Sequence, residues 1–304
     1  MIFKDGKKLK EVDFKNEKEL QTYFENNLNE ILGLKFIDTE FYIDNHSFRI
    51  DTLGYDEELK CFKIIEYKNI KNHSLIDQGF TYLRKMLENK EAFVLNFNLK
   101  TGNKYKIEDI DWTQSRIIFV SPIYSSYQLT ASDILDLPFD LIKIVKYENN
   151  IIEIEKWEKK SKIKMSDCGV LIQNNQITKE VKVYTESDHF EKTTENIITL
   201  YENLKDRILQ LGDIDIDVKK VYIAFKGSKN IVDIEFFKSF LQLTINLKKG
   251  QLKDSKSLIS SYILDNGKII GHHGNGDYYI SIKKEDDIDM VIPFIKQSFD
   301  INKK

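Results

Sequence analysis

The sequence predicts an α/β domain built in the order helix, three strands, helix, strand, followed by a smaller α+β domain. Three observations predict it. Apolar residues recur at helical spacing near the N-terminus, at Leu20, Phe24, Leu28 and Ile31. Three β-type runs follow, separated by turn residues. A second pattern of helix and strands begins near Glu195, after a stretch without periodicity.

The first helix spans about Asn16 to Leu32. Asn16 is placed to cap it, Glu19 makes a capping-box-like arrangement and Gly33 suits its end. The β-type runs are Phe36 to Ile43, Phe48 to Tyr55 and Cys61 to Tyr67, with turns at Asp44-Asn45 and Asp56-Glu57-Glu58. A second helix runs from about Ser74 to Leu87, with Ile76, Phe80, Leu83 and Leu87 on one face. Strands are expected at Ala92 to Phe97 and Arg116 to Val120. A helix near Ser132 and strands at Leu141 to Lys146 and Ile151 to Glu155 close the half. Residues 158–193 read as a linker between a domain at 1–157 and one at 194–304. In the second domain a long helix (Ile197, Leu200, Leu204, Ile208, Leu211) precedes strands at Val218 to Phe225, Ile231 to Phe237 and Leu241 to Leu247. A short helix at Ser255 to Tyr262, a glycine-rich turn, a strand at Tyr278 to Lys283 and a helix from Glu285 to Phe299 complete it.

Composition narrows the function classes. The 304 residues are 41% hydrophobic, enough for two packed cores. A net charge of −3 argues against an evenly basic nucleic-acid binder, although a local basic groove can sit on an acidic protein. Two distant cysteines, Cys61 and Cys168, make neither a disulfide framework nor a metal cluster. The N-terminus lacks a signal-peptide core, and no run approaches the roughly 18 apolar residues of a membrane span. A soluble, cytoplasmic protein with no membrane partner is expected.

The chemistry-bearing segment is Arg49-Ile50-Asp51, followed by Glu66-Tyr67-Lys68. Side chains alternate along a strand, so Glu66 and Lys68 share a face. If the two strands form a hairpin, Asp51 lies close to Glu66. Two adjacent carboxylates repel unless a cation sits between them, and hard oxygen ligands suit Mg²⁺ or Mn²⁺. A neighbouring lysine can neutralise a scissile phosphate or orient a water. Gln78 and Tyr82, four apart and off the apolar stripe, share a helix face that can approach the same place. Glu17 falls within the apolar stripe of the first helix, where a lone carboxylate is costly without a ligand role. Arg49 alternates onto the face of Asp51 and can contact phosphate. For Asp51, Glu66 and Lys68 alone, a cross-strand salt bridge is the plainer account. The added Gln78, Tyr82, Glu17 and element order shift the balance. His46 and His73, beside turns, are expected to be solvated.

This set resembles the PD-(D/E)XK nuclease superfamily, in particular its RecB-like branch and the related mismatch-specific endonucleases. The resemblance covers about residues 10 to 155 and rests on Asp51, Glu66-Tyr67-Lys68, the Gln78-x-x-x-Tyr82 element and Glu17 before them. It implies a restriction-endonuclease-like αβββαβ core with a mixed sheet, and Mg²⁺-dependent cleavage of DNA. By that resemblance Asp51, Glu66, the Tyr67 carbonyl and Glu17 engage metal. Lys68 positions the water, and Arg49, Gln78 and Tyr82 serve the substrate. Ile50 stands where the family has a proline, which is not a ligand.

In the second half, Gly271-His272-His273-Gly274-Asn275-Gly276-Asp277 is conspicuous. A hairpin turn is the favoured account. An anion-binding loop or a metal site from His272, His273 and Asp277 are the alternatives. With Val221–Lys226, Asn246–Gly250 and Tyr278, this run resembles a bacterial domain family of unknown function that often lies behind nuclease-like domains. That family is sometimes labelled "predicted transport protein", a label without support in this chain. Lys219, Lys220, Lys226, Lys229, Lys248 and Lys249 could form a basic surface for nucleic acid, or be ordinary solvated lysines. The expected function is a Mg²⁺-dependent endonuclease acting on DNA in defence or repair, able to act as a homodimer and to meet a protein partner through its C-terminal domain. The rival is a non-catalytic nucleic-acid-binding or partner-recruiting module that keeps the nuclease fold.

Overall fold

The computed structural model describes residues 2–43, 48–68, 75–134, 136–159, 161, 163, 181–255, 257–264, 268–269 and 275–303. The turn at Asp44-Asn45, together with His46, His73, Cys168 and the run Gly271–Gly274, lies outside the described residues. The chain divides into two compact units, Met1–Val183 and Tyr184–Lys304.

The first unit is α/β around a six-stranded mixed sheet. After a small hairpin, β1 (Phe3–Lys4) and β2 (Lys7–Lys8), come helices α1 (Glu17–Asn26) and α2 (Leu28–Leu32). The Asn16 side chain accepts the Glu19 N–H at 2.8 Å, the N-cap expected of an Asn. Glu19 does not return to the cap residue. Its carboxylate accepts the Lys15 N–H. The expected single helix breaks at Asn27, and Gly33 ends α2 at φ 69°. Leu20, Phe24 and Leu28 are buried against Ile65 and Tyr67 of the sheet.

Strands β3 (Lys35–Ile43) and β5 (Cys61–Tyr67) each pair antiparallel with β4 (Phe48–Asp56) between them. Helices α3 (Leu75–Glu88) and α4 (Lys90–Thr101) follow, then β6 (Arg116–Ser121), α5 (Ser126–Ser132), β7 (Phe139–Tyr147) and β8 (Ile151–Lys156). The strand order is β3-β4-β5-β6-β7-β8, with β5, β6 and β7 mutually parallel. Because α1 packs on one side of the sheet and α3 with α4 on the other, the sheet has two separate cores.

The expected strand at Ala92 to Phe97 is wrong. Those residues form α4, capped by Gly102 at φ 74°. The run fits both periods. What decides is packing: Phe93 and Phe97 seat their rings against Phe62, and Phe97 also meets Tyr55. Phe93, Val94 and Phe97 are buried while Leu95 and Leu99 stand in solvent, a helical division that alternation cannot give.

The second unit is α+β. Helices α6 (Glu186–Phe190) and α7 (Glu195–Leu209) precede β9 (Asp215–Val218), β10 (Tyr222–Lys226), β11 (Asn230–Phe237) and β12 (Phe240–Ile245). The unit ends with β13 (Ser260–Ser261), β14 (Tyr278–Ile282) and α8 (Asp286–Asn302). Its sheet is antiparallel, in the order β13-β14-β12-β11-β10-β9. The apolar side chains of one face, such as Ile223, Ile234, Leu243 and Ile280, share a core with Leu204 of α7 and Ile295 of α8. Two expectations need correction here. The run Val218 to Phe225 spans the end of β9 and most of β10, and of Ser255 to Tyr262 the described residues form no helix, Ser260–Ser261 being strand β13 paired with β14. Helix α6 falls in the stretch read as linker and belongs to this unit.

Candidate active site

Asp51 on β4 and Glu66 on β5 lie one residue beyond the paired Thr52 and Ile65, so the antiparallel register sets them side by side. Each carboxylate accepts a main-chain N–H from the other strand. Glu66 Oε1 takes the Asp51 N–H at 3.1 Å, and Asp51 Oδ2 takes the Tyr67 N–H at 3.2 Å. The two side chains are almost wholly buried, at 7% and 1% exposed. Burial, and then the charge of Asp51, hold the Glu66 carboxyl well above the usual carboxylate range.

Lys68 is carried on the same strand face as Glu66. Its ammonium lies 4.0 Å from Glu66 Oε2 and donates to the Tyr67 carbonyl at 2.8 Å. Gln78 of α3 donates its amide to Glu66 Oε2 at 3.2 Å and sits 3.2 Å from the Tyr82 hydroxyl. Tyr82 donates to the Arg49 carbonyl at 2.9 Å, and burial pushes its hydroxyl pKa up to about 12, so it remains a donor. The Arg49 guanidinium spans 3.7 Å to Asp51 and 3.8 Å to Glu40. The structure therefore brings Arg49, Asp51, Glu66, Tyr67, Lys68, Gln78 and Tyr82 into one connected set.

Glu17 sits differently from its helical-wheel position. It lies in the first turn of α1, its side chain 45% exposed, and meets Lys68 at 3.7 Å. It joins the set through that ammonium. Among the described residues no group of three His, Cys, Asp or Glu is placed to hold a metal ion together.

Sequence reasoning missed Gln21. Its amide donates to the Asp51 carbonyl at 2.8 Å, and also reaches Thr39 and Glu25, which fastens α1 to β4 directly behind the acidic pair. The signal was present. Gln21 is three residues before Phe24 and seven before Leu28, so a polar side chain lies within the apolar stripe.

The second unit gives little support to a continuous basic surface. Lys219 and Lys226 both meet Asp217, at 2.8 and 3.6 Å. Lys249 donates to the carbonyls of Ile263 and Leu264. Asp277 is pinned by main-chain bonds, its carboxylate accepting the Lys249 N–H at 2.8 Å.

Fold and site define a two-unit protein whose mixed α/β sheet carries a buried carboxylate pair beside a lysine. Over 294 residues the chain is 42% identical to a Haemophilus influenzae (strain ATCC 51907 / DSM 11121 / KW20 / Rd) protein described as "Uncharacterized protein", spanning 95% of each chain. The chain belongs to the family of that protein. Residues 186–302 match the model of a domain of unknown function (DUF5655). Among solved structures, the chain is similar to a repair endonuclease from Pyrococcus abyssi, with 18% identity and a TM-score of 0.23 over 40% of this chain and 46% of that one. It is likewise similar to a chain of an EndoMS–dsDNA2 complex, with 18% identity and a TM-score of 0.24 over 44% and 47%. The chain spans less than half the length of either solved chain. Among the described residues no helix is long and apolar enough to cross a membrane.

Proposed function

We propose that the first unit hydrolyses phosphodiester bonds of DNA with the help of Mg²⁺ or Mn²⁺. The observation that carries the reading is the cross-strand pair Asp51 and Glu66, buried and each accepting a main-chain N–H of the other's strand, with the Lys68 ammonium beside it. The donor set fits a hard divalent cation. Two buried carboxylates concentrate negative charge, the cations beside them are each shared with a further carboxylate (Lys68 with Glu17, Arg49 with Glu40), and burial already penalises the Glu66 anion. Asp51, Glu66 and the Tyr67 carbonyl would hold the ion. A set of so few protein oxygens suits Mg²⁺, which keeps several waters. The bound ion would supply Lewis acidity at the scissile phosphate.

The chain's own groups have separate tasks in this reading. Lys68 neutralises the phosphate and orients the attacking water, 15% exposed and so reachable from solvent. Arg49, half-exposed at the rim, meets a second phosphate oxygen. Gln78 fixes the Glu66 carboxylate, and Tyr82 fixes the strand at Arg49. Glu17 pairs with the Lys68 ammonium. The test incubates purified protein with plasmid, linear and branched DNA and either metal. Metal-dependent cutting that disappears in Asp51→Asn supports the reading. Salt-sensitive DNA binding without any cutting would move the protein to the binding-module alternative.

A further inference from the structure

We propose that Gln21 is a positioning residue for the candidate metal site: it fixes the main chain of Asp51, and through it the carboxylate that would hold the ion. This rests on the metal-binding part of the reading above.

Strand β3 is irregular at the level of Asp51. Glu40, in the middle of that strand, has φ 51°, the left-handed backbone that residues other than glycine rarely adopt. The register steps from Thr39 opposite Thr52 to Phe41 opposite Ile50 and does not pair Glu40 with Asp51. The ladder is thus interrupted beside the aspartate of the acidic pair. Backbone strain of this kind persists only where the surroundings impose it. Here the Glu40 carboxylate accepts the Lys18 ammonium at 2.8 Å and faces the Arg49 guanidinium at 3.8 Å.

A side chain of α1 meets both strands at the interruption. Gln21 is 5% exposed. Its Nε2 lies 2.8 Å from the Asp51 carbonyl oxygen, 3.0 Å from the Thr39 hydroxyl and 2.9 Å from Glu25 Oε1. Its Oε1 accepts the Lys18 ammonium at 3.2 Å. The amide fits only this way round, because a carbonyl and a carboxylate only accept and an ammonium only donates. Glu25 in turn accepts the Thr52 hydroxyl at 2.6 Å, so α1 grips two successive residues of β4. Asp51 is then held on both sides of its main chain: its N–H donates to Glu66 Oε1, and its carbonyl accepts from Gln21. Lys18, Glu40 and Arg49 continue the contacts from Gln21 back to the Asp51 carboxylate, which Arg49 meets at 3.7 Å. Gln21 touches the carbonyl of Asp51 and leaves the carboxylate free, so it sets where a ligand oxygen stands without neutralising it. Side chains that orient metal ligands in this indirect way are typically worth about 10–100-fold in metal affinity.

The experiment follows Mn²⁺ binding to the full-length chain by the loss of the free-ion electron paramagnetic resonance signal, counting the component that Asp51→Asn removes. Gln21→Met keeps the length of the side chain and loses its donors. It should weaken that component about tenfold. Leu28→Val controls for general loosening: Leu28 is buried in the core beneath α1, and the substitution should lower the urea midpoint without moving Mn²⁺ affinity. A shift under about threefold in Gln21→Met overturns the proposal, as does an equal shift in Leu28→Val. If Gln21→Met loses its circular-dichroism signature, Gln21→Asn decides, since its amide is one methylene too short for the Asp51 carbonyl. A shift of about threefold or more supports the role, and a smaller one overturns it. Asp51-dependent Mn²⁺ binding without DNA cleavage would sink the hydrolytic reading alone, with the Gln21 shift still measured. Absence of such binding in the parent protein overturns both.

Discussion

Each unit buries a pair of carboxylates on a sheet, but the pairs are built differently. Asp51 and Glu66 come from neighbouring strands, so register brings Glu66 onto the Asp51 N–H and Asp51 onto the Tyr67 N–H. Asp233 and Glu235 come from one strand and stand a full pleat repeat apart. The first arrangement focuses charge on one point, with a lysine beside it. The second spreads charge along a wall of hydroxyls and amides. Strand pairing therefore sets how two carboxylates stand to each other: cross-strand register joins them in one case, and a pleat repeat along one strand separates them in the other.

The comparison breaks first at Lys68. If the first pair is a hydrolytic centre, Lys68→Ala should lower the initial rate of metal-dependent plasmid cleavage about 10³-fold. Equal cleavage by the variant and the parent protein would remove the functional distinction between the two pairs. Glycines sharpen the contrast next. Gly276→Ala drives a Cβ into the Ile245 carbonyl, a main-chain atom held in the sheet, so about 3 kcal/mol of the second unit's stability should go. Gly79→Ala in α3 puts a Cβ 2.8 Å from the Phe139 ring. Overpacking costs about 1–3 kcal/mol and helix propensity returns about 1, so a smaller net loss is expected, measured by urea unfolding. Because Gly79 follows Gln78, its substitution should also slow cleavage. Gly276→Ala should leave cleavage by the first unit intact.

The first site was more legible than the second for a physical reason. Asp51, Glu66 and Lys68 declare their faces by strand alternation, and Gln78 and Tyr82 by helical spacing, so local geometry nearly suffices. Gln21 escaped because its role depends on contact with the Asp51 carbonyl across 30 residues, which no local period encodes. In β11, Ile-Val-Asp-Ile-Glu-Phe reads as a strand with one wet face. In the structure Asp233 on that face is buried, and Tyr262 and Asn275, far along the chain, reach it. Helix α4 shows the same limit within the first unit. A short apolar run satisfies both periods until Phe62 and Tyr55 supply the partner surface.

The gentlest probe separates the units by pH. His189 in α6 is 1% exposed, with Nε2 donating to the Lys219 carbonyl at 2.8 Å and Nδ1 buried without a partner. A second proton on Nδ1 would find no acceptor, and burial, the largest cause, holds the imidazole pKa below its ordinary 6.5. The unfolded chain then binds the proton more readily than the folded one. Stability is complete above about pH 6.5 and falls as pH drops through that value toward the folded pKa, below which it levels off. Hydrogen exchange at α6 and β10 should therefore accelerate between pH 7.5 and 5.5, after correction for intrinsic rates, by more in the parent protein than in His189→Gln. The sheet of the first unit should respond alike in both proteins. Identical pH responses of α6 and β10 in the two proteins would show that His189 is protonated as easily in the folded state as in the unfolded chain.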